Sequence, residues 1–230
     1  MTDSGQLVLD LPHLPALGAE DFLVSGSNQA ATEMINCWPR WPQSVVVVVA
    51  PTHAGKTHLA NVWRLKSGAV RLEASALSES DVAGLSPGSA ILVEDLHAGV
   101  ADERAFFHLL NLARENKLSI LVTSRVPPGE LSITLPDLRS RLRALPLVAI
   151  APPDPALLKA VLVKHFSDRQ LIVEPHTIGY IALRMERSME AAATLVAEID
   201  RVALASQRKV TRALAAEVLR AGEDEAAAAG

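Results

Sequence analysis

Short runs of apolar, mostly β-branched residues alternate with stretches of helical periodicity over the first two thirds of the chain. The clearest run is the five consecutive valines Val45–Val49, which has the length and composition of a buried strand. Four further runs predict strands at residues 69–72, 90–94, 119–124 and 147–150. Because helical patterns separate most of these runs, the sequence predicts an α/β domain with a five-stranded parallel sheet and flanking helices.

Beyond residue 151 the pattern becomes helical throughout. Three prolines, Pro152, Pro153 and Pro155, interrupt the chain there, and no strand pattern follows them. The apolar spacing predicts four helices, at residues 154–166, 175–185, 189–206 and 211–220. We therefore expect four segments: a flexible N-terminal arm (1–20), the α/β domain (21–151), a small all-α bundle (152–221) and a disordered acidic tail (222–230).

The composition narrows the class of protein. A chain of 230 residues with 49% hydrophobic residues can bury one α/β core and a small helical appendage. The formal net charge of −4 argues against a broad DNA-binding face. The single cysteine, Cys37, excludes an internal disulfide, and we interpret it as a small buried residue in a reduced compartment. No apolar run approaches the ~18 residues of a membrane span, so we expect a cytoplasmic protein.

The strongest chemical signal lies between the valine run and the next helical pattern. It consists of Ala50, Pro51, Thr52, His53, Ala54, Gly55, Lys56 and Thr57, followed by His58. These residues match the phosphate-binding pattern Gly-x-x-x-x-Gly-Lys-Ser/Thr, except that Ala50 replaces the first glycine. In that pattern backbone N–H groups wrap the phosphates, the lysine reaches the terminal oxygens and the hydroxyl holds Mg²⁺. The flanking strand and helix favour a site for ATP or ADP with Mg²⁺ over an ordinary strand-to-helix turn.

Two other predicted strands end in polar residues that suit the same site. The run at 90–94 ends in Glu94 and is followed by Asp95, so Glu94 is our candidate ligand of Mg²⁺ and Asp95 our candidate for activating a water molecule. The alternative is a solvated strand end. The run at 119–124 ends in Thr123 and Ser124, which we expect between the first and third strands, and either hydroxyl can contact phosphate.

Three arginines stand at alternate positions just before the last predicted strand. They are Arg139, Arg141 and Arg143. A guanidinium group that reaches a γ-phosphate stabilises the charge of the transferring group, and a neighbouring subunit can supply it. On charge pattern alone, a solvated basic stretch is the favoured explanation of these arginines.

Taken in order, these motifs resemble the DnaA type of the AAA+ family. The segments that carry the resemblance are Gly55-Lys56-Thr57-His58-Leu59, Phe106-Phe107-His108-Leu109-Leu110-Asn111, Asp137-Leu138-Arg139-Ser140-Arg141-Leu142 and Arg187-Ser188-Met189. Within that type the match is to the regulatory inactivators that are homologous to DnaA, and it spans about residues 20–215.

The resemblance implies a P-loop module followed by a helical lid, and it implies roles for particular residues. Lys56 and Thr57 hold phosphate and Mg²⁺, Arg187 senses the nucleotide from the lid, and Arg141 is an arginine finger offered in trans. Phe22 and Val24 lie where this family lines its adenine pocket, although they are equally compatible with ordinary core.

A short N-terminal motif is similar to peptides that dock on the replicative sliding clamp. The motif reads Gln6-Leu7-Val8-Leu9-Asp10-Leu11, so we expect Gln6, Leu7, Leu9 and Leu11 to contact the clamp. The alternative is a disordered apolar N-terminus.

The resemblance implies a negative regulator of bacterial replication initiation. Such a protein binds the DNA-loaded sliding clamp and stimulates hydrolysis of DnaA-bound ATP, which leaves inactive ADP-DnaA. A basic recognition helix is lacking, so we expect no direct sequence-specific DNA binding, while a homodimer stays possible. The alternatives are a self-contained ATPase of the helicase-loader type and a scaffold that binds no nucleotide.

Departures from the family pattern indicate weak or no ATPase activity of the chain itself. Ala50 and His53 replace the first two glycines of the common loop, and positive φ angles are costly for such residues. Glu94 is one methylene longer than the usual aspartate, which displaces the carboxylate.

Overall fold

The computed structural model describes residues 23–228, with side chains over residues 23–222. The strands in this part of the chain are β1 (Val45–Val49), β2 (Val70–Glu73), β3 (Ala90–Glu94), β4 (Ser119–Ser124) and β5 (Leu147–Ala149). The helices in the same part are α1 (Gln29–Cys37), α2 (Lys56–Ser67), α3 (Glu79–Ala83), α4 (Glu103–Glu115), α5 (Pro136–Arg143), α6 (Pro155–Asp168), α7 (Pro175–Arg184), α8 (Met189–Ser206) and α9 (Arg212–Ala228).

The five strands form one parallel sheet in the order β2-β3-β4-β1-β5. The predicted α/β architecture is therefore confirmed, and β4 lies between β1 and β3 as expected. In register, Val49 lies opposite Ser124 and Val93 lies opposite Val122. The carboxyl ends of β1, β3 and β4 consequently meet at one edge of the sheet, where ligands bind in open α/β folds.

The alternation of side chains along the strands divides the core of the sheet into two layers. Val47 and Ile120 face a layer built with α3, α4 and α5, whereas Val46 and Leu121 face α1 and α2. The centre of the second layer is Trp63 on α2, which is completely buried. Its position fixes α2, and with it the loop that precedes this helix, against the sheet.

Helices α6 to α9 build a second core of their own. Its fully buried members include Leu158, Leu162, Ile181, Val196 and Ile199. Apolar residues on α8 recur at the spacing expected for one buried helix face, which explains why the sequence predicts this helix with the observed bounds. The all-α segment after the sheet is thus present as expected.

Two details differ from the sequence-based expectations. We expected a disordered tail over residues 222–230, whereas α9 continues to Ala228, because the Glu and Ala residues there favour helix strongly enough to offset the ~1 kcal/mol cost of Gly222. We expected Cys37 to be buried, and this is wrong because the buried positions of α1 are Ala31 and Ile35, which leaves Cys37 on the exposed face.

Some predictions fall outside the described residues. These are the N-terminal arm with Gln6, Leu7, Leu9 and Leu11, and the pocket candidate Phe22. Between residues 23 and 228, no helix combines the length and the apolar content that crossing a membrane requires.

Candidate nucleotide site

The loop between β1 and α2 is anchored to the sheet at its start and opens a helix at its end. The backbone N–H of Ala50 donates to the carbonyl of Ser124 at 3.0 Å, and Ala50 is fully buried. Gly55 has a φ of 94° and precedes the first helical residue, Lys56. The first N–H groups of a helix lack acceptors within the helix, so they and the helix dipole favour an anion at this point.

His53 adopts the left-handed conformation that this loop position requires, with a φ of 60°. For a residue other than glycine this conformation costs about 1–3 kcal/mol. Two contacts from the helical bundle support it. The backbone N–H of Met189 donates to the His53 carbonyl at 3.1 Å, and the Glu190 carboxylate forms an ion pair with the His53 ring. The start of α8 therefore stabilises this conformation of the loop.

Lys56 connects the loop to the neighbouring strand ends. Its Nζ donates to Oδ1 of Asp95 at 2.8 Å, and only 9% of the Lys56 side chain is exposed. The backbone N–H of Asp95 in turn donates to Oγ1 of Thr123 at 3.1 Å. One hydrogen-bonded chain thus joins the loop lysine, the carboxylate after β3 and the hydroxyl near the end of β4.

The charges around Asp95 keep its side chain ionised. Burial on its own raises the pKa of Asp95, but the hydrogen bond from Lys56 and the charges of Lys56, His97 and Arg125 together lower it. Burial also lowers the pKa of His97, against the opposing effect of Asp95, whose Oδ1 lies 3.8 Å from Nδ1 of His97. Since Nδ1 has no hydrogen-bond partner among the described residues, the neutral ring is the favoured form.

Glu94 and Asp95 are adjacent in sequence but have different partners. The Glu94 carboxylate, whose side chain is 7% exposed, forms an ion pair with Nε of Arg71 on β2. Arg71 also donates to Oε1 of Glu73 at 2.7 Å, and Glu73 lies opposite Glu94 in the parallel register. The carboxylate predicted to bind Mg²⁺ is therefore held by a guanidinium group.

The residues present do not fit the predicted magnesium site. Thr57 is exposed in the first turn of α2, while the Glu94 carboxylate is already paired with Arg71. Among the described residues, no group of three or more His, Cys, Asp and Glu side chains is arranged to hold a metal ion. We assign no step of the chemistry to a metal bound by Glu94.

The two hydroxyls at the end of β4 have different partners. Both residues are completely buried. Thr123 accepts the hydrogen bond from Asp95, whereas Ser124 Oγ donates to the carbonyl of Val126 at 2.6 Å and so closes a turn. Thr123 is therefore the hydroxyl that contacts the acidic residue of the site.

Arg141 is the most constrained of the three alternating arginines. Its guanidinium carbon lies 5.2 Å from the centre of the Phe107 ring, and Nη1 donates to Oδ1 of Asn111. Arg141 is half-buried, whereas Arg139 and Arg143 are exposed. Phe107 and Asn111 belong to α4, so this helix positions the predicted finger.

The two remaining candidates lie at the surface. Arg187 is exposed and directly precedes Ser188, the N-cap residue of α8, so it lies close in sequence to the bond between Met189 and the loop. Val24 is 56% exposed, and its place in an adenine pocket stays a prediction.

Sequence reasoning did not find Arg71, His97 or Arg125 as parts of this site. Arg71 acts across the gap between two strands, so only the register of β2 against β3 reveals its partner. His97 and Arg125 each follow the end of a strand, and this position is the one sequence feature that could have indicated them.

Comparisons with known proteins agree with this geometry. The chain is 26% identical over 202 residues to the chromosomal replication initiator protein DnaA of Cutibacterium acnes, which is 86% of the chain and 39% of that protein. The chain is homologous to DnaA. It spans about two fifths of the length of this curated relative, and a scan against protein-family models finds no match.

Solved structures of DnaA have the same fold as this chain. Domain III of the Thermotoga maritima replication initiation protein DnaA matches with a TM-score of 0.72 at 18% identity, over 91% of this chain and 98% of that one. Replication initiator DnaA bound to AMPPCP and single-stranded DNA matches with a TM-score of 0.68 at 18% identity, over 81% of this chain and 65% of that one. The parallel sheet with its flanking helices and the helical bundle that follows it thus form a known architecture.

Proposed function

We propose that this AAA+ module is a negative regulator of replication initiation that acts on ATP-bound DnaA, as the inactivator Hda does. The observation that carries the proposal is homology to DnaA over 86% of the chain. Modules of one family share the surfaces by which they associate, so a DnaA-like module is suited to meet DnaA itself. Its effect is to stimulate hydrolysis of the ATP that DnaA holds, which leaves inactive ADP-DnaA.

The module's own nucleotide, ADP or ATP, binds at the loop from Ala50 to Thr57. The position of the loop at the N-terminus of α2 and the ammonium group of Lys56 support phosphate binding there. The DnaA structure with AMPPCP, which has the same fold, is consistent with this site. When phosphates bind, Lys56 exchanges its contact with Asp95 for the phosphate oxygens. Thr123 Oγ1 still accepts the hydrogen bond from the backbone N–H of Asp95 and so keeps Asp95 in place.

Arg141 is the residue that we propose reaches the ATP held by DnaA. A guanidinium group stabilises the charge that spreads over the transferring phosphoryl group. Packing on Phe107 and the hydrogen bond to Asn111 restrict the Arg141 side chain, so little conformational freedom is lost when it meets the phosphate. These contacts support Arg141 over the exposed Arg139 and Arg143 as the finger.

The sliding clamp is the second proposed partner. Gln6, Leu7, Leu9 and Leu11 are the residues that would dock in an apolar groove of the DNA-loaded clamp. Docking there would make the reaction depend on the DNA-loaded clamp.

The Arg141→Ala variant tests the finger. We expect it to lose stimulation of DnaA-bound ATP hydrolysis by ~10³-fold, as in other systems where an arginine is supplied in trans. Binding of ADP by the variant should be unchanged. The matched controls are Arg139→Ala and Arg143→Ala, which remove exposed arginines from the same helix. Full stimulation by Arg141→Ala, or its loss in a control, would reject Arg141 as the finger.

One observation favours a second function, that of a self-contained ATPase of the helicase-loader type. Asp95 lies beside Lys56 and is ionised, so it is suited to activate a water molecule. If this is the function, the isolated chain turns over ATP and Asp95→Ala abolishes the turnover. Absence of turnover by the wild type would exclude it.

A further inference from the structure

The ion pair between Arg71 and Glu94 occupies the position where a P-loop protein places an acidic ligand of its metal ion. Glu94 is 5% exposed and stands at the carboxyl end of β3. Arg71 comes from β2, the edge strand of the sheet, and 58% of its side chain is exposed. A solvent-reaching cation on a neighbouring strand therefore neutralises a buried carboxylate.

The register of the two strands explains why the arginine is there. Glu73 on β2 lies directly opposite Glu94 on β3, and like charges at opposite positions repel each other. Arg71 lies two residues before Glu73 on the same face, and one guanidinium group serves both acids, with Nε on Glu94 and Nη2 on Glu73 at 2.7 Å. Removing Arg71 would leave a buried carboxylate unpaired and a second acid beside it.

We propose that Arg71 is the resident counter-ion of Glu94 and that nucleotide binding by this chain consequently does not depend on a divalent cation. The inference rests on the proposed nucleotide site at Lys56. Mg²⁺ binds through one or two carboxylates together with phosphate oxygens. A carboxylate paired with a guanidinium group forms a neutral unit, so it no longer attracts such an ion by a net negative charge. Lys56 and the start of α2 then supply positive charge toward the phosphates without a metal ion.

The Asp95 carboxylate does not replace Glu94 as a metal ligand in this arrangement. It accepts a hydrogen bond from Lys56 and lies near Arg125, so these two cations already balance its charge. The two adjacent acids are thus each paired with a cation of the protein, Glu94 with Arg71 and Asp95 with Lys56.

The test measures the affinity for ADP by calorimetry in buffer with Mg²⁺ and in buffer with EDTA. The wild type should bind ADP equally well in both, and this comparison needs no variant. In Arg71→Met, which removes the cation and keeps an unbranched side chain, Mg²⁺ should tighten ADP binding by about tenfold or more, a typical coupling between two ligands. The double variant Arg71→Met, Glu94→Gln should lose that dependence, and Arg114→Met, which removes an exposed arginine of α4, should behave as the wild type.

The outcomes separate this inference from the proposed function. If Mg²⁺ tightens ADP binding by the wild type as strongly as by Arg71→Met, the counter-ion role is wrong and the nucleotide site stands. If the wild type binds ADP in neither buffer, the nucleotide site itself is wrong and the inference falls with it. Binding of Mn²⁺ without nucleotide, followed by electron paramagnetic resonance, gives a second readout, since we expect it for Arg71→Met and not for the wild type.

Discussion

Asp95 adopts a left-handed conformation with a φ of 53°, and this one backbone angle separates the two acids that end β3. Aspartate tolerates this region better than most residues. The turn directs the Asp95 side chain toward Lys56, while Glu94 keeps the direction set by the strand and meets Arg71. At the residue scale the site thus contains a pair of carboxylates with separate partners rather than a shared metal.

The buried ring of His97 predicts a pH dependence of stability. Its pKa is lowered from 6.5 in the folded chain, so the unfolded chain takes up a proton that the folded chain does not. The stabilising contribution is present above the unfolded pKa of 6.5 and is lost as the pH falls toward the lowered value. We expect His97→Asn to have a free energy of unfolding that falls less steeply between about pH 7 and pH 5.

Chemical denaturation at several pH values measures this slope. A second variant, His97→Gln, should have the same shallow slope, because both substitutions remove the titrating imidazole ring while they change the packing differently. Slopes equal to that of the wild type in both variants would show that His97 does not carry the pH dependence.

The sequence predicts part of the site at this scale and misses the rest for a physical reason. Lys56 and Asp95 could be found because the loop pattern and the end of an apolar strand are local features. Their hydrogen bond of 2.8 Å brings together residues 39 positions apart. Arg71 could not be found in this way, since its contact depends on how β2 and β3 align, and a motif search does not consider alignment between strands.

At the element scale, α2 is the part of the fold on which the loop depends. Its buried face contains Leu59, Ala60 and Trp63, and the Trp63 ring stacks on Trp41 with ring centres 5.2 Å apart. The Trp38 ring contacts Trp63 edge-on with centres 6.2 Å apart. These contacts join α2 to the segment that follows α1 and thus hold the start of the helix at the sheet edge.

The Trp63→Ala variant measures this contribution. We expect the free energy of unfolding to fall by about 3–5 kcal/mol, because the change leaves a cavity in the centre of a core layer. The matched control is Leu65→Ala on the same helix, which is 58% exposed and should change stability by no more than about 0.5 kcal/mol. Urea titration of the three proteins gives the comparison, and equal losses in the two variants would contradict this view of the core.

Element identities were more predictable than element ends. The strands at residues 45–49, 90–94 and 119–124 have the predicted bounds, because their apolar runs end abruptly, the first before Pro51 and the others at polar residues. Strand β2 begins and ends one residue later than predicted, and α9 extends eight residues further, where propensity rather than apolar spacing sets the end.

At the scale of the whole molecule, the helical bundle and the sheet domain meet at the loop between β1 and α2, the proposed nucleotide site. The Met189 backbone and the Glu190 side chain, both in the first turn of α8, contact His53. The proposed nucleotide site is therefore in direct contact with the first turn of the bundle helix α8. This arrangement suits a module whose partners respond to its nucleotide state, which is what the proposed regulatory function requires.

The measurement that tests this function most directly is the conversion of labelled ATP to ADP on DnaA, with and without DNA-loaded sliding clamp. We expect the wild-type chain to accelerate conversion only when the clamp is present. The double variant Gln6→Ala, Leu7→Ala should lose the acceleration while keeping its stability, because those residues precede the sheet domain. Conversion that is unaffected by the chain in the presence of the clamp would contradict the account.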